Sequence, residues 1–263
     1  MSDSLELVFL GTGTSHGVPM IGCDCDVCTS DDPRDRRFRT SAAIALPAAA
    51  PTEGRVILID VSPEFRLAAI ANRLERVDAI LLTHAHADHV IGMDDIRRYN
   101  DIAGGAIDCF GNARTIATTQ RIFAYTDRPY GGDSWPCVNY QVIDAPREIC
   151  GVKVTPIPLL HGRDEILGFR IGNLAYCTDC SAIAPASLAL LENLDLLVID
   201  SVRYKPHPTH FNVAGALEVI ADIRPQRTLL THIAHEIRHA AIMSELPGGV
   251  EPAYDGLRVK VTL

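Results

Sequence analysis

The chain has 263 residues, 47% hydrophobic and 22% charged, which is ordinary globular composition and enough for a substantial core. A net charge of −9 excludes a surface built to grip a long nucleic acid, whose phosphates demand basic residues. A small anionic substrate stays allowed, because bound cations can reverse the local potential. The acidic opening, residues 1–6, runs straight into a strand-like segment over 5–10, so no signal peptide is expected. The longest apolar stretch, residues 41–51, is too short for a membrane span and is broken by Pro47. A cytoplasmic location follows as the expectation, with the eight cysteines as reduced thiols.

Further strands are predicted over 42–46 and over 55–60, the latter ending on the carboxylate of Asp60. Residues 62–74 read as a helix, with Pro63 near its first turn and apolar residues along one stripe. An apolar strand over 78–83 delivers the chain to His84. A helix is predicted over 88–99, with Asp94 and Asp95 early and Arg97 and Arg98 late. Residues 100–145 are less regular. Their Gly104-Gly105 and Gly131-Gly132 pairs, with Tyr125, Tyr130 and Trp135, suit either a lid over a site or a plain surface loop with an edge strand. Strands return over 152–157, 167–171, 174–177 and 196–199. A helix over 213–223, a strand over 228–230 and a closing strand over 256–263 complete the chain. Strands in both halves with few helices between them predict two packed sheets covered by helices.

The strongest chemical signal is Thr83-His84-Ala85-His86-Ala87-Asp88-His89. In an extended segment His84 and His86 point the same way, so both imidazoles can reach one metal. Asp88 and His89 must diverge as a helix begins, which suits a second metal. His161, Asp179 and His232 each follow an apolar strand, and such strand ends gather at one edge of a layered fold. Taken singly each would be an ordinary turn residue; together they complete a two-metal shell. Cys23, Cys25 and Cys28 place three thiols within six residues, a spacing for tetrahedral zinc that needs a fourth ligand from elsewhere. His235, three residues beyond His232, is the natural candidate. Cys177 and Cys180 have redox-pair spacing but no matching context, and read as buried, inert thiols. Cys109, Cys137 and Cys150 show no ligand spacing. His16 lies in a glycine-rich loop and is as well explained by no role at all; His207 and His239 carry no assignment.

This order of ligands resembles the metallo-β-lactamase superfamily over essentially the whole chain. The resemblance implies one hydrolase domain over residues 1–263 in the α/β class, an αββα sandwich of two mixed sheets flanked by helices. It implies that His84, His86 and His161 hold one metal, that Asp88, His89 and His232 hold the other, and that Asp179 bridges them. Asp60 would orient a ligand. The cysteine cluster with the late Thr231-His232-Ile233-Ala234-His235 resembles more narrowly the phosphoribosyl 1,2-cyclic phosphodiesterase family of the carbon–phosphorus lyase pathway. Gly11-Thr12-Gly13, Gly17-Val18-Pro19, Leu58-Ile59-Asp60 and Tyr254-Asp255-Gly256 support that match. A segment Thr209-His210-Phe211 is similar to one in tRNA 3′-processing endonucleases and makes His210 the expected general acid or phosphate contact, the catalytic side chain beside Asp88.

The function implied is hydrolysis of a small cyclic or nucleotide-type phosphodiester by a binuclear site of zinc or manganese, with a structural zinc on sulfur. The expected partner is that small ester, with no long nucleic acid and no membrane; a homodimer is allowed. Three rivals share the fold. A tRNA 3′-processing endonuclease is disfavoured by the charge and by the absence of a Gly- and Lys-rich arm. A thioester or lactam hydrolase would not carry the cysteine cluster. A scaffold related to the pyrroloquinoline quinone biosynthesis protein would be expected to have degraded metal ligands.

Overall fold

The computed structural model describes residues 4–47, 54–126 and 135–263. Its strands, in chain order, are β1 (Ser4–Gly11), β2 (Ser41–Ala45), β3 (Val56–Ile59), β4 (Ala79–Leu81), β5 (Ile107–Gly111), β6 (Val138–Val142), β7 (Arg147–Ile149) and β8 (Val152–His161). They continue with β9 (Asp164–Ile171), β10 (Leu174–Cys177), β11 (Leu196–Asp200), β12 (Arg227–Thr231), β13 (Val250–Pro252) and β14 (Arg258–Thr262). Among the described residues they form two seven-stranded sheets, ordered β14-β1-β2-β3-β4-β5-β6 and β13-β12-β11-β10-β9-β8-β7. In the first, β3 through β6 run parallel while β14, β1, β2 and β3 alternate. The second repeats the plan, with β10 through β13 parallel and β7 through β10 antiparallel. Both sheets are therefore mixed, and each has a parallel run of strands whose carboxyl ends can host a site.

Both faces of each sheet are buried, which is why the strands read as apolar runs rather than alternations. Leu5, Leu7 and Phe9 of β1 meet Phe169, Tyr176, Val198 and Leu229 of the opposite sheet in the central layer. Their neighbours Val8 and Leu10 turn outward onto Phe65, Met93, Ile96 and Tyr99. In the second sheet Leu197 and Ile199 turn outward onto Val213, Ala216 and Ile220. Helix α1 (Phe65–Ala71), α2 (Ala87–Val90), α3 (Arg97–Ala103) and α4 (Ala113–Ile122) belong to the first half. Helix α5 (Pro185–Leu188), α6 (Val213–Ile223) and α7 (His239–Glu245) belong to the second. Four layers result, helix on sheet on sheet on helix, as expected.

Local departures from expectation have identifiable causes. The helix expected over 62–74 is shortened to α1 because Arg73 takes a left-handed φ of 52°. The helix expected over 88–99 breaks into α2, a 3-10 stretch over Ile91–Ile96, and α3. The amide of Val61 donates to the His89 carbonyl (2.7 Å) and the Gly92 amide donates to the Val61 carbonyl (2.9 Å), so the loop after β3 takes bonds a continuous helix would use. Residues 100–145 are far more regular than expected: they supply β5, α4 and β6, with β6 at the sheet edge. The part of the lid expectation that rests on Tyr130 and Gly131-Gly132 lies outside the described residues. Among the described residues no helix is long and apolar enough to cross a membrane.

Candidate metal centre and active site

The carboxyl ends of the parallel strands converge. Asp60 follows β3, His84 follows β4, Asp179 follows β10, Asp200 ends β11 and His232 follows β12. Asp60, Asp179 and His232 all sit at left-handed φ, between 56° and 58°, which turns each side chain off its strand toward the common edge. A non-glycine residue in that region is strained, and such strain gathers at functional sites.

Two sets of ligand-type atoms form there. One ring nitrogen from each of His84, His86 and His161 lies within 4.8 Å of the others, as do a carboxylate oxygen from each of Asp88 and Asp179 and a ring nitrogen from each of His89 and His232. Asp179 Oδ2 faces both: it is 4.0 Å from His84 Nε2, 3.3 Å from His89 Nε2 and 3.1 Å from His232 Nε2. Neighbours fix the rings. His89 Nδ1 donates to Asp60 Oδ2 at 2.6 Å, and Asp60 also accepts from the Thr83 amide and hydroxyl, both at 2.8 Å. Since the Thr83 hydroxyl donates to Asp60, its oxygen accepts from His84 Nδ1 at 3.0 Å. His161 Nδ1 donates to the Thr209 carbonyl at 2.9 Å. Each bond pins a tautomer and leaves Nε2 bare, the arrangement metal-binding histidines require.

The fit to cations shows in what is left over. His89 Nε2 and His232 Nε2 are buried without a hydrogen-bond partner, although carboxylate oxygens lie near both. His84 Nε2 and His86 Nδ1 face each other at 2.9 Å. Buried polar atoms are rarely orphaned, and lone pairs converging on one point call for a cation. The electrostatics agree. Burial opposes charge on Asp88 and Asp179, yet adjacent histidines hold both carboxyls below the usual range. Burial likewise opposes protonation of His89, but Asp179, Asp60 and Asp88 outweigh it and push the imidazole up. A cluster so rich in carboxylate demands positive charge.

His210 lies beside both sets, its ring 4.7 Å from those of His161 and His232, with Nδ1 2.8 Å from Asp200 Oδ2. Burial, reinforced by His232, lowers its pKa to about 4, while burial raises that of Asp200 well above the carboxylate range. Sequence reasoning missed Asp200. Its signal was present: Leu196-Leu197-Val198-Ile199-Asp200 repeats the pattern of Val56-Ile57-Leu58-Ile59-Asp60, and the two carboxylates orient histidines in matching ways. It also missed His207, whose ring lies 4.8 Å from that of His210.

The second cluster forms as expected. His235 Nδ1 lies 3.3, 3.4 and 3.6 Å from the sulfurs of Cys23, Cys25 and Cys28. The Cys28 amide onto its sulfur lowers the Cys25 thiol to about 6, against the opposing effect of burial and with help from His235; burial raises Cys28 to about 11. The cluster is tied to the catalytic edge. Arg37, 1% exposed, donates to the Ala234 and Ile237 carbonyls and to Asp35, and the Ile233 amide donates to Thr12 at 2.8 Å. Thr12 and the Phe38 amide in turn donate to Asp255, both at 2.7 Å. Cys177 and Cys180 are buried free thiols, while His16 is exposed. A larger groove of about 560 Å³ beside Phe65, Ile70, Leu74, Tyr99 and Ile102 has no histidine or cysteine in its lining, so its size does not make it the reaction site.

Comparison with known proteins agrees with this geometry. The model of the β-lactamase superfamily domain matches residues 55–233. A crystal structure described as a new diphosphatase from the PhnP family superposes with a TM-score of 0.88 at 38% identity, over 97% of each chain. Zinc-bound PqqB from Methylobacterium extorquens superposes at 0.75 with 21% identity, over 97% of this chain and 99% of that one, a likeness of fold. A curated octanoyltransferase from Porphyromonas gingivalis is 36% identical over 258 residues; the match takes in 96% of this chain and 51% of the relative, so the chain spans about half its length. On the shared sheets, the strand-end cluster and these matches, the chain belongs to the metallo-β-lactamase superfamily and, within it, to the PhnP family of hydrolases.

Proposed function

We propose that the protein hydrolyses a small phosphodiester, cyclic or nucleotide-type and similar to phosphoribosyl 1,2-cyclic phosphate, at a pair of divalent zinc or manganese ions. The observation that carries the reading is Asp179, whose Oδ2 faces nitrogens from both ligand sets. His84, His86 and His161 would hold one ion, Asp88, His89 and His232 the other, and Cys23, Cys25, Cys28 and His235 a structural zinc. A divalent pair so held supplies an acidified water near neutral pH and offsets charge on phosphoryl oxygens. Asp88, whose Oδ2 lies 3.4 Å from His89 Nε2 and 4.0 Å from His232 Nε2, would be a ligand of that second ion.

His210 deals with the departing oxygen. Burial raises Asp200 and lowers His210, and the 2.8 Å contact between Asp200 Oδ2 and His210 Nδ1 fixes the ring, leaving Nε2 as the nitrogen that would meet the substrate. A proton on that Nε2 would pass to the alkoxide as the carboxyl proton of Asp200 moves onto Nδ1, so that the ring ends neutral and Asp200 ionised. The substrate proposed is a small ester in solution rather than a long nucleic acid or a membrane lipid, and a homodimer is compatible with it.

The test is a screen of metal-reconstituted protein against cyclic and linear phosphodiesters, a dinucleoside diphosphate, an acyl thioester and a tRNA precursor. Turnover of phosphodiesters is expected. Acyl hydrolysis with none on bis-p-nitrophenyl phosphate would overturn the reading. The relative described as a diphosphatase favours a second reading, cleavage of a phosphoanhydride, in which the same residues act and the dinucleoside diphosphate is the preferred substrate.

A further inference from the structure

The chain between β1 and β2 has little fold of its own. Residues 12–40 form no strand and no helix beyond the 3-10 turn Pro33–Asp35. Their apolar cluster is small, Val18, Val27 and Cys28 with Met20, Cys23 and Cys25 at its margin, and Ile21 stands 98% exposed. So little apolar burial leaves the order of this loop to its polar ties and to one further feature. That feature is the convergence of Cys23, Cys25, Cys28 and His235, whose ligand atoms lie within 4.8 Å of one another. A metal held by such a set contributes folding energy outright.

Both ends of the loop clamp the segment that carries His232. At one end the Ile233 amide donates to the Thr12 carbonyl at 2.8 Å, and the Thr14 amide donates to the Ile233 carbonyl at 3.4 Å. At the other end Arg37 donates to the Ala234 and Ile237 carbonyls at 3.3 and 2.9 Å. Val18 and Arg37 close the base of the loop by exchanging backbone bonds of 2.9 and 2.8 Å. His235 follows His232 by three residues, and His232 is held at a left-handed φ of 58°. A non-glycine residue keeps that conformation only while its surroundings over-determine it. The thiol cluster and a ligand of the strand-end cluster therefore share one short, strained piece of chain.

We infer that Cys25 and Cys28 are a peroxide-sensitive pair, whose oxidation frees the zinc on sulfur and, through His235 and the 232–235 segment, weakens the metal site of Asp88, His89 and His232. The inference rests on the ligand sets of the proposed function and not on the identity of the ester. Cys23 and Cys25 are only half-buried, so a small oxidant reaches the cluster. The Cys28 amide donates to the Cys25 sulfur at 3.5 Å, which holds the two cysteines side by side at the spacing of reactive thiol pairs. The Cys25 thiolate attacks the O–O bond of hydrogen peroxide, giving a sulfenic acid and a hydroxide. The Cys28 thiolate then displaces the sulfenic oxygen as a second hydroxide and closes the S–S bond. Both electrons come from the two sulfurs, and two solvent protons turn the hydroxides into water. Cys23 and His235 alone no longer make a tetrahedral site. Cys177 and Cys180, both 0% exposed, lie out of the oxidant's reach.

The experiment treats the zinc-reconstituted protein with a small excess of hydrogen peroxide, quenches it with catalase and desalts it. Zinc is read by elemental analysis, disulfides by peptide mass mapping, and turnover on bis-p-nitrophenyl phosphate, before and after dithiothreitol with added zinc. The expected result is a Cys25–Cys28 disulfide, a fall from about three zinc ions per chain to about one, and a loss of turnover of about tenfold or more. All three should reverse on reduction with zinc. A disulfide that costs only the zinc on sulfur, with the other two ions retained, overturns the coupling. Unchanged thiols, or a disulfide other than Cys25–Cys28, overturn the assigned pair. Reduced protein that holds no zinc on sulfur before treatment overturns the ligand assignment, and the switch with it. Fully loaded protein inert on phosphodiesters overturns the ester alone, because zinc content and mapped disulfides still decide the switch.

Discussion

At the scale of single residues, the site separates side chains that face metal from those that face substrate. Asp179 is enclosed by His84, His89 and His232, whereas His210 has its Nδ1 against Asp200. Asp179→Ala should therefore lose metal as well as rate. His210→Ala should keep full metal content by elemental analysis and lose roughly a hundredfold in turnover, the usual scale for a lost general acid. The loss should shrink for p-nitrophenolate esters, whose leaving groups need little proton assistance. A His210→Ala protein that purifies short of metal makes His210 a ligand, a role its position beside His161 and Asp179 would permit. The metal-type histidines were legible because their spacing in 84–89 is local. Asp200 was not, because one aspartate after an apolar strand has no local partner in sequence; its meaning comes from His210, ten residues away, and from its likeness to Asp60.

At the scale of elements, the segment after the histidine motif shows how tertiary contact overrides periodicity. The apolar spacing over 88–99 is helical, and its residues Val90, Met93 and Ile96 do face the core. What interrupts the helix is the approach of the loop after β3, which brings the Ser62 carbonyl to where a side chain on Gly92 would begin. A Cβ there would lie 2.2 Å from that oxygen. Backbone atoms cannot rotate away as a flexible side chain can. Gly92→Ala should consequently destabilise the fold by about 1–3 kcal/mol or more, the range for overpacking. Urea unfolding would register this as a lower midpoint at unchanged slope. Because the Val61 amide donates to the His89 carbonyl at the same point, the variant should also weaken metal binding on the His89 side; a Gly92→Ala protein of wild-type stability would refute the close approach. The strand β5 escaped sequence reading for a related reason, while β6 is the edge strand of one of the two alternatives: Gly104-Gly105 and the polar positions of β6 look like loop, and pairing of β5 with β4 and of β6 with β5 makes them sheet.

At the scale of the molecule, the two halves repeat one plan and are locked by residues distant in sequence. β14 pairs with β1, and Asp255, just before it, accepts from Thr12 and Phe38 near the other end of the chain. The αββα architecture was legible from apolar strands ending on ligand-type residues. The parallel runs were not, since sheet order depends on contacts between strands far apart in the chain.

Asp255 also gives the whole fold a pH dependence. Burial raises its pKa to about 7 from 3.8, outweighing the opposing donors Phe38 and Thr12. The folded state thus binds a proton that the unfolded chain releases near pH 4. Its contribution is full below about pH 4 and is lost as pH rises through 7, by up to about 4 kcal/mol at 1.36 kcal/mol per unit. Melting temperature at fixed metal should therefore fall between about pH 4 and 7 more steeply than the remaining groups would cause. Asp255→Asn removes the titration. It should be less stable at pH 5, where the protonated acid fits best and the amide must turn one N–H toward Phe38, and it should show a flatter profile up to pH 8. Parallel profiles for the two proteins would mean that Asp255 is ionised throughout, its charge held by the Phe38 amide, the Thr12 hydroxyl and the nearby Arg37 in spite of its burial.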